Sequence, residues 1–340
     1  MRQLNKTKKK GIFKKLFVKL SRLLGYELID QADMSFVTSK NLKNPSISGK
    51  KSITLPLGEV KITRKVQSFD IILKTCTSVN LVSQNKKRIF EQPKSEYTMR
   101  TINSLIKSIK KASKDKSYTN FNITILDAGS PKEDMTIIER VLKNSELKFN
   151  IICLNLNEYL KRIKIIKRNN YQIENNMKST MASIIKSFEL AKDLDDLVYF
   201  VEDDYIHDDE SISEMISAYE KFSTILKDEI FIVPVDYPYL YQKNQSTNVL
   251  IGQKNHWRSV NESLLTFMTS KEMINKYYSD LIKMGEIEHE PYETILHSIY
   301  DKENCFSPIP SLALHCTNVN SVFGLSPNIN AKDLWEMNKD

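Results

Sequence analysis

The chain has 340 residues, 41% of them hydrophobic, with 50 Lys and Arg against 42 Asp and Glu and a formal charge of +8. That length holds one large domain or two smaller ones with a full core, and no run approaches eighteen consecutive apolar residues, so no bilayer-spanning helix is expected. Nine bases and no acid lie between Met1 and Arg22, leaving 41 bases against 42 acids elsewhere; the body lacks the spread basic face of a nucleic-acid-binding domain.

Four cysteines, Cys76, Cys153, Cys305 and Cys316, show no close C-x-x-C spacing and are too few for a disulfide framework. A reducing, cytoplasmic compartment is expected. In chain order, GIFKKLFVKLSRLLGYEL (residues 11–28) spaces Ile12, Phe13, Leu16, Phe17, Leu20, Leu23 and Leu24 as one helical face, with lysines and Arg22 between and Gly25 as a stop. Lysines interrupt the apolar part and no small-residue cleavage site follows, which argues against a secretory signal. Such a helix suits an anionic membrane surface, met through residues 6–24 at the inner face, where each nearby base adds about 1 kcal/mol. A frayed helix or one docked on the core is the alternative. Residues 36–65 read as irregular, and the domain boundary is expected at 66/67, with a basic N-terminal extension before it and one catalytic domain after it.

A regular alternation then begins. Strands are expected at Phe69–Thr75, Asn122–Leu126, in KFNIICLNL, at Leu197–Glu202 and in EIFIVPV. Helices are expected in TMRTINSLIKSIKKA, MTIIERVLKN, NNMKSTMASIIKSFELAKDL and ESISEMISAYEKFSTIL. Short strands alternating with helices of ten or more residues predict an α/β fold, a mostly parallel sheet flanked by helices, with ligands beyond the carboxyl ends of the strands.

The chain has no G-x-G-x-x-G and no G-x-x-x-x-G-K-[ST], which removes the usual phosphate cradles of nicotinamide, S-adenosylmethionine and P-loop proteins. A diphosphate could instead be managed by a divalent cation on carboxylates. LVYFVEDDYIHDDE, Leu197–Glu210, places Glu202, Asp203 and Asp204 directly behind a strand; read by itself, this is an acidic solvated turn or a cation site. Glu202 stands where an aspartyl-phosphate phosphatase needs its nucleophilic Asp, and a calcium loop would need a glycine that is absent. Glu293 occupies the place of the second His in a would-be H-E-x-x-H motif, which excludes that zinc signature.

VYFVEDDY resembles the D-x-D motif of nucleotide-sugar glycosyltransferases of the GT-A fold, especially glycosyltransferase family 2. ILDAGS (Ile125–Ser130) resembles that family's strand-ending D-[DA]-G-S, and PIPSLALHCTNVNSVFGLSP (Pro308–Pro327) resembles its terminal, histidine-bearing segment. The resemblance covers roughly Ser68–Asn330 and implies the GT-A fold and sugar transfer from a nucleotide-sugar donor, UDP-sugars favoured, to a glycan or lipid-linked acceptor. It implies Asp127 at the nucleobase, Thr75 at the nucleoside, Asp203 near the ribose with Glu202 in support, and Asp204 and His315 on Mn2+ or Mg2+. Without the resemblance, His315 reads as a packed core residue.

The resemblance also implies a catalytic base in GEIEHEPYETILHSIY, Glu290 first and Glu293 second, for an inverting reaction. Pro291 stands where the family carries Asp, and both acids could equally belong to a helix start. In HWRSVNESLLTFMTSKEMI, Trp257 offers a face for a sugar or base and Arg258 a bidentate partner for diphosphate; a buried tryptophan and a surface arginine are the alternatives. Asn176, Lys178 and Ser179 are further donor-site candidates, and Arg88 and Arg100 could approach the diphosphate. The tyrosine-rich Asp236–Gln242 loop discriminates nothing by itself. Two other readings stay open: a sugar-nucleotide transferase, although FDIILKTCTSVN lacks that class's glycine-rich loop, and a membrane-tethered, non-catalytic binding protein on a transferase scaffold.

Overall fold

The computed structural model describes residues 12–25, 51–54, 58–78, 88–165, 171–242, 246–288, 291–316 and 325–339. The elements in chain order are α1 (Ile12–Leu23), β1 (Lys51–Thr54), β2 (Gly58–Lys61), β3 (Ser68–Thr75), α2 (Lys94–Asp115), β4 (Asn120–Asp127), α3 (Lys132–Asn144) and β5 (Lys148–Cys153). They continue with α4 (Tyr171–Ala191), β6 (Leu197–Glu202), β7 (Tyr205–His207), α5 (Ser211–Leu226), β8 (Phe231–Ile232), β9 (Val249–Ile251), β10 (His256–Ser259) and β11 (Phe267–Ser270). The last are α6 (Lys271–Lys276), α7 (Tyr278–Glu286), α8 (Thr294–Tyr300), β12 (Cys305–Ile309), β13 (Ala313–His315) and α9 (Ala331–Met337).

The expected α/β fold is present. Nine strands form one sheet in the order β5-β4-β3-β6-β11-β8-β12-β10-β9. The pairings run parallel from β5 to β6 and between β8 and β12, while β11 and β10 are antiparallel to their neighbours, so seven of the nine strands point the same way. Right-handed crossovers explain the layers: β3-α2-β4 and β4-α3-β5 step one way across the sheet, and β5-α4-β6 steps back, which puts α4 on the opposite face. α5 packs on α2, and α7 packs on α4. With both faces covered, β3 and β6 are almost wholly buried, which is why Ile71–Leu73 and LVYFV are apolar throughout.

Several elements differ from expectation. Residues 51–61 include the antiparallel hairpin β1–β2 rather than irregular chain, and Ile62 and Val66 are buried. Arg64 ties this stretch down with ion pairs to Asp196 (2.5 Å) and Glu229 (2.8 Å). EIFIVPV pairs only at Phe231–Ile232, because Pro234 has no N–H for the ladder; its carbonyl accepts from Leu312 and Ala313 instead. Gly25 ends α1 at φ +82°, as its place in the pattern predicts.

Beyond the main sheet, β7 pairs antiparallel with β13 as a two-stranded ribbon over a second small core of Tyr97, Ile206, Leu314, Cys316, Leu334 and Trp335. This ribbon carries Tyr205 and His315 and follows directly on the turn at Asp203 and Asp204.

Candidate active site

Strand register lines up one row at the carboxyl edge. Cys153 stands opposite Asp127, Asp127 opposite Thr75, and Lys74 opposite Glu202. The chain then turns at Asp203–Asp204 into β7, whose Tyr205 lies opposite His315 of β13. The Cys316 N–H donates to the Asp204 carbonyl at 2.8 Å, which fixes the ribbon against the turn.

Asp127 is buried and fully engaged. One carboxylate oxygen accepts from the Gly129 and Ser130 N–H groups, both at 3.0 Å; the other accepts from the Thr75 hydroxyl at 3.0 Å and the Ser130 hydroxyl at 2.5 Å. Gly129 holds φ +111°, a conformation that suits glycine, and so closes the turn. Asp127 therefore builds the β4–α3 turn, and accepting from a nucleobase would require it to release a present donor, of which the Ser130 hydroxyl is the most mobile. Beside this turn lies a groove of about 590 Å3 with Met135, Ile151, Cys153 and Leu154 in its wall.

Asp203 and Asp204 face two cations. The Lys94 ammonium lies 2.5 Å from Asp203 and 3.8 Å from Asp204, and an Arg88 guanidinium nitrogen lies 3.2 Å from Asp204. Asp203 also accepts from the Thr98 hydroxyl at 2.9 Å and the Cys76 N–H at 3.2 Å. Arg88 lies over the Tyr97 ring at 4.8 Å and donates to the Cys316 carbonyl at 3.4 Å. The imidazole Nε2 of His315 stands 3.7 Å from the other Asp204 oxygen, and its ring stacks on Tyr205 at 4.4 Å and 9°. Burial opposes charge on Asp204, but the nearby Lys94, His315 and Arg88 charges hold its carboxyl well below the ordinary range.

These contacts decide how the expected Mn2+ or Mg2+ fits. Asp204 and His315 are two donors of suitable kind and spacing, yet no group of three or more His, Cys, Asp or Glu among the described residues could hold an ion. Any ion on the Asp204 carboxylate would share it with a guanidinium and an ammonium. Like unit charges 4 Å apart repel by roughly 4 kcal/mol at an effective dielectric of 20, and a doubly charged ion doubles each such term. The described residues do not fit a resident divalent cation.

Around the bend of the edge, Glu202 is half-buried with Lys74 at 3.7 Å. Glu293, just before α8, is buried, and that burial, helped by the Glu202 charge, pushes its carboxyl up to about 7 against the opposing pull of a backbone hydrogen bond and, more weakly, of Lys74. Glu290 lies outside the described residues. Lys178 is half-buried on α4, with Asn176 and Ser179 beside it, in the half of that helix nearer the carboxyl edge.

Three expectations are corrected. Trp257 offers no face to a ligand: it is fully buried on β10, edge-on to Phe222 at 6.0 Å, and its indole N–H donates to Glu214 at 3.2 Å. Gly252 permits that packing, since a Cβ there would lie 2.4 Å from both the indole nitrogen and the Glu214 carboxylate. Arg258 is committed to buried Asp236 at 2.7 Å and to the Tyr241 ring at 4.3 Å, because a buried carboxylate needs a cation. Arg100 lies under α9, donating to the Trp335 carbonyl at 2.6 Å and stacking on its indole at 4.1 Å.

The sequence reading missed Lys94. Its signal was a lysine in the first turn of a helix, directly after Pro93, where the helix dipole disfavours a cation unless acids await it.

No family model and no curated protein matches the chain. Among solved structures, the galactosyltransferase LgtC in complex with donor and acceptor sugar analogues aligns over 68% of this chain and 70% of its own, at 11% identity and a TM-score of 0.34. The S. aureus TarS fragment 1–349 aligns over 62% of this chain and 49% of its own, at 12% identity and a TM-score of 0.36. The same fragment in complex with UDP aligns over 64% of this chain and 55% of its own, at 11% identity and a TM-score of 0.34.

Proposed function

We infer that the chain is a GT-A glycosyltransferase that moves a sugar from a nucleotide-diphosphate donor, UDP-sugars first, to a glycan or lipid-linked acceptor. One observation carries the reading: Asp127 and Thr75 stand in one row at the carboxyl edge with Glu202, and Asp203 and Asp204 follow directly behind it. The groove at the Asp127 turn, apolar-walled with a polar rim, suits a flat nucleobase.

In the reaction, the acceptor oxygen forms its bond to the anomeric carbon as the bond from that carbon to the β-phosphate oxygen breaks. The electron pair leaves on the nucleoside diphosphate, and the acceptor proton passes to a carboxylate. Glu293 is the described residue best suited to take it, since a base near 7 is half-ionised at neutral pH. Attack opposite the leaving group inverts the sugar.

The test is to incubate the full chain with a panel of nucleotide sugars and follow thermal stabilisation and product release. At least one donor should raise the Tm and release its nucleoside diphosphate. Release of pyrophosphate would move the chain to the sugar-nucleotide transferases, and no stabilisation by any nucleotide diphosphate or nucleotide sugar would end the reading.

The second partner in this reading is an anionic membrane. Phe13, Leu16, Phe17, Leu20, Leu23 and Leu24 of the α1 segment are all more than half exposed, in the same stretch that concentrates the chain's excess bases. Among the described residues, no helix is long and apolar enough to cross a bilayer. An in-plane helix would bury this apolar face at the headgroup boundary. The chain should sediment with phosphatidylcholine vesicles containing phosphatidylserine, less so at high salt, and Phe17→Glu/Leu20→Glu should stay in solution.

A further inference from the structure

The charge inventory behind the carboxyl edge is unusual for a cation-binding acid pair. A divalent ion held by two carboxylates would bring two positive charges. Asp203 and Asp204 already meet two monovalent ones, Lys94 and Arg88, at 2.5 and 3.2 Å. The net charge is the same as with the ion. Both cations are covered by the fold, with side chains 8% and 7% exposed, so neither is a surface group that drifts by. Each is also held by more than charge: Lys94 by its place in the first turn of α2, and Arg88 by the Tyr97 ring and the Cys316 carbonyl.

An ammonium and a guanidinium both donate to phosphate oxygens, as a divalent ion would bind them. We propose that Lys94 and Arg88, oriented by Asp203 and Asp204, take the place of a divalent cation and receive the diphosphate of the donor directly. The inference rests on the nucleotide-sugar reading above. When the bond from the anomeric carbon to the β-phosphate oxygen breaks, the negative charge left on the diphosphate is met by these two side chains. His315, stacked on Tyr205, then borders the diphosphate and is no metal ligand.

The experiment measures binding of UDP, GDP, CDP and ADP to the full chain by calorimetry, in excess EDTA and in manganese. The expected result is one nucleotide that binds with affinities within about twofold in the two media. Arg88→Gln should weaken its binding in EDTA by at least about tenfold, the scale of one charge-assisted hydrogen bond. Lys94→Gln alone leaves Asp203 buried without its cation, so the paired variant Lys94→Gln/Asp203→Asn, which keeps the site neutral and hydrogen-bonded, should fold and show a similar loss. Binding that needs manganese overturns this inference and leaves the nucleotide reading standing. Undiminished binding by Arg88→Gln and the paired variant also overturns it. Failure of every nucleotide in both media removes the nucleotide reading and this inference with it.

Discussion

Glu293 shows how a single side chain can tie stability to function. Its carboxyl is raised from an ordinary value of 4.5 to about 7, so the folded chain holds a proton that the unfolded chain has released. Folding therefore takes up a proton across that window, and the stability this group contributes is present below it and lost as pH rises to about 7. At 1.36 kcal/mol per unit the loss is on the order of 3 kcal/mol. Glu293→Gln removes the titration while keeping the shape. It should raise the midpoint of urea unfolding relative to wild type at pH 8 but not at pH 4. The same variant should lower the transfer rate by roughly a hundredfold or more and abolish the rise of activity with pH through neutrality. A variant that keeps both rate and pH profile would strip Glu293 of its assigned role. Trp257 behaves oppositely: Trp257→Phe should cost about 1–3 kcal/mol, from lost volume and the lost Glu214 bond, and leave nucleotide affinity unchanged.

At the scale of elements, the site hangs on the β7–β13 ribbon and the small core beneath it. Trp335 of α9 stacks on Phe90 at 4.1 Å and packs against Tyr97 at 4.8 Å, and Tyr97 in turn carries Arg88. The C-terminal helix thus braces the segment that presents the arginine. Truncating a buried tryptophan typically costs about 3–5 kcal/mol. Trp335→Ala should loosen this small core before the main sheet: amides at the start of α2 and in the ribbon should exchange faster with solvent, those of β3, β4 and β6 should stay protected, and nucleotide affinity should fall. Uniform loss of protection across all strands would show that the two cores unfold as one. Very little of this was legible beforehand. β7 and β13 are three residues each, too short to show a period, and α9 lies beyond the alternating pattern that organised the rest.

Across the whole molecule, the sheet and helices are locked by polar ties buried in the layers. Lys116 at the end of α2 pairs with Glu220 of α5 at 2.9 Å, both almost fully buried, and Glu220 also accepts from Tyr118 and from the Val66 N–H at the entrance to β3. Breaking such a pair from one side leaves a buried charge, so Lys116→Met should destabilise the chain by about 3–5 kcal/mol in urea unfolding, and Lys116→Met/Glu220→Gln should recover part of that.

The sequence by itself determined the alternation of strands and helices, because burial on both sheet faces forces continuous apolar runs and helix burial forces a 3.6-residue period. It also determined where the chemistry could lie, since three successive acids, Glu202, Asp203 and Asp204, break the apolar run of the strand before them and so mark its end. Only the tertiary structure decided what those acids touch. That Asp204 meets His315 and Arg88, that Asp203 meets Lys94, and that Trp257 turns into the core follow from register and packing between segments far apart in the chain, and no local pattern encodes a distance between two such segments.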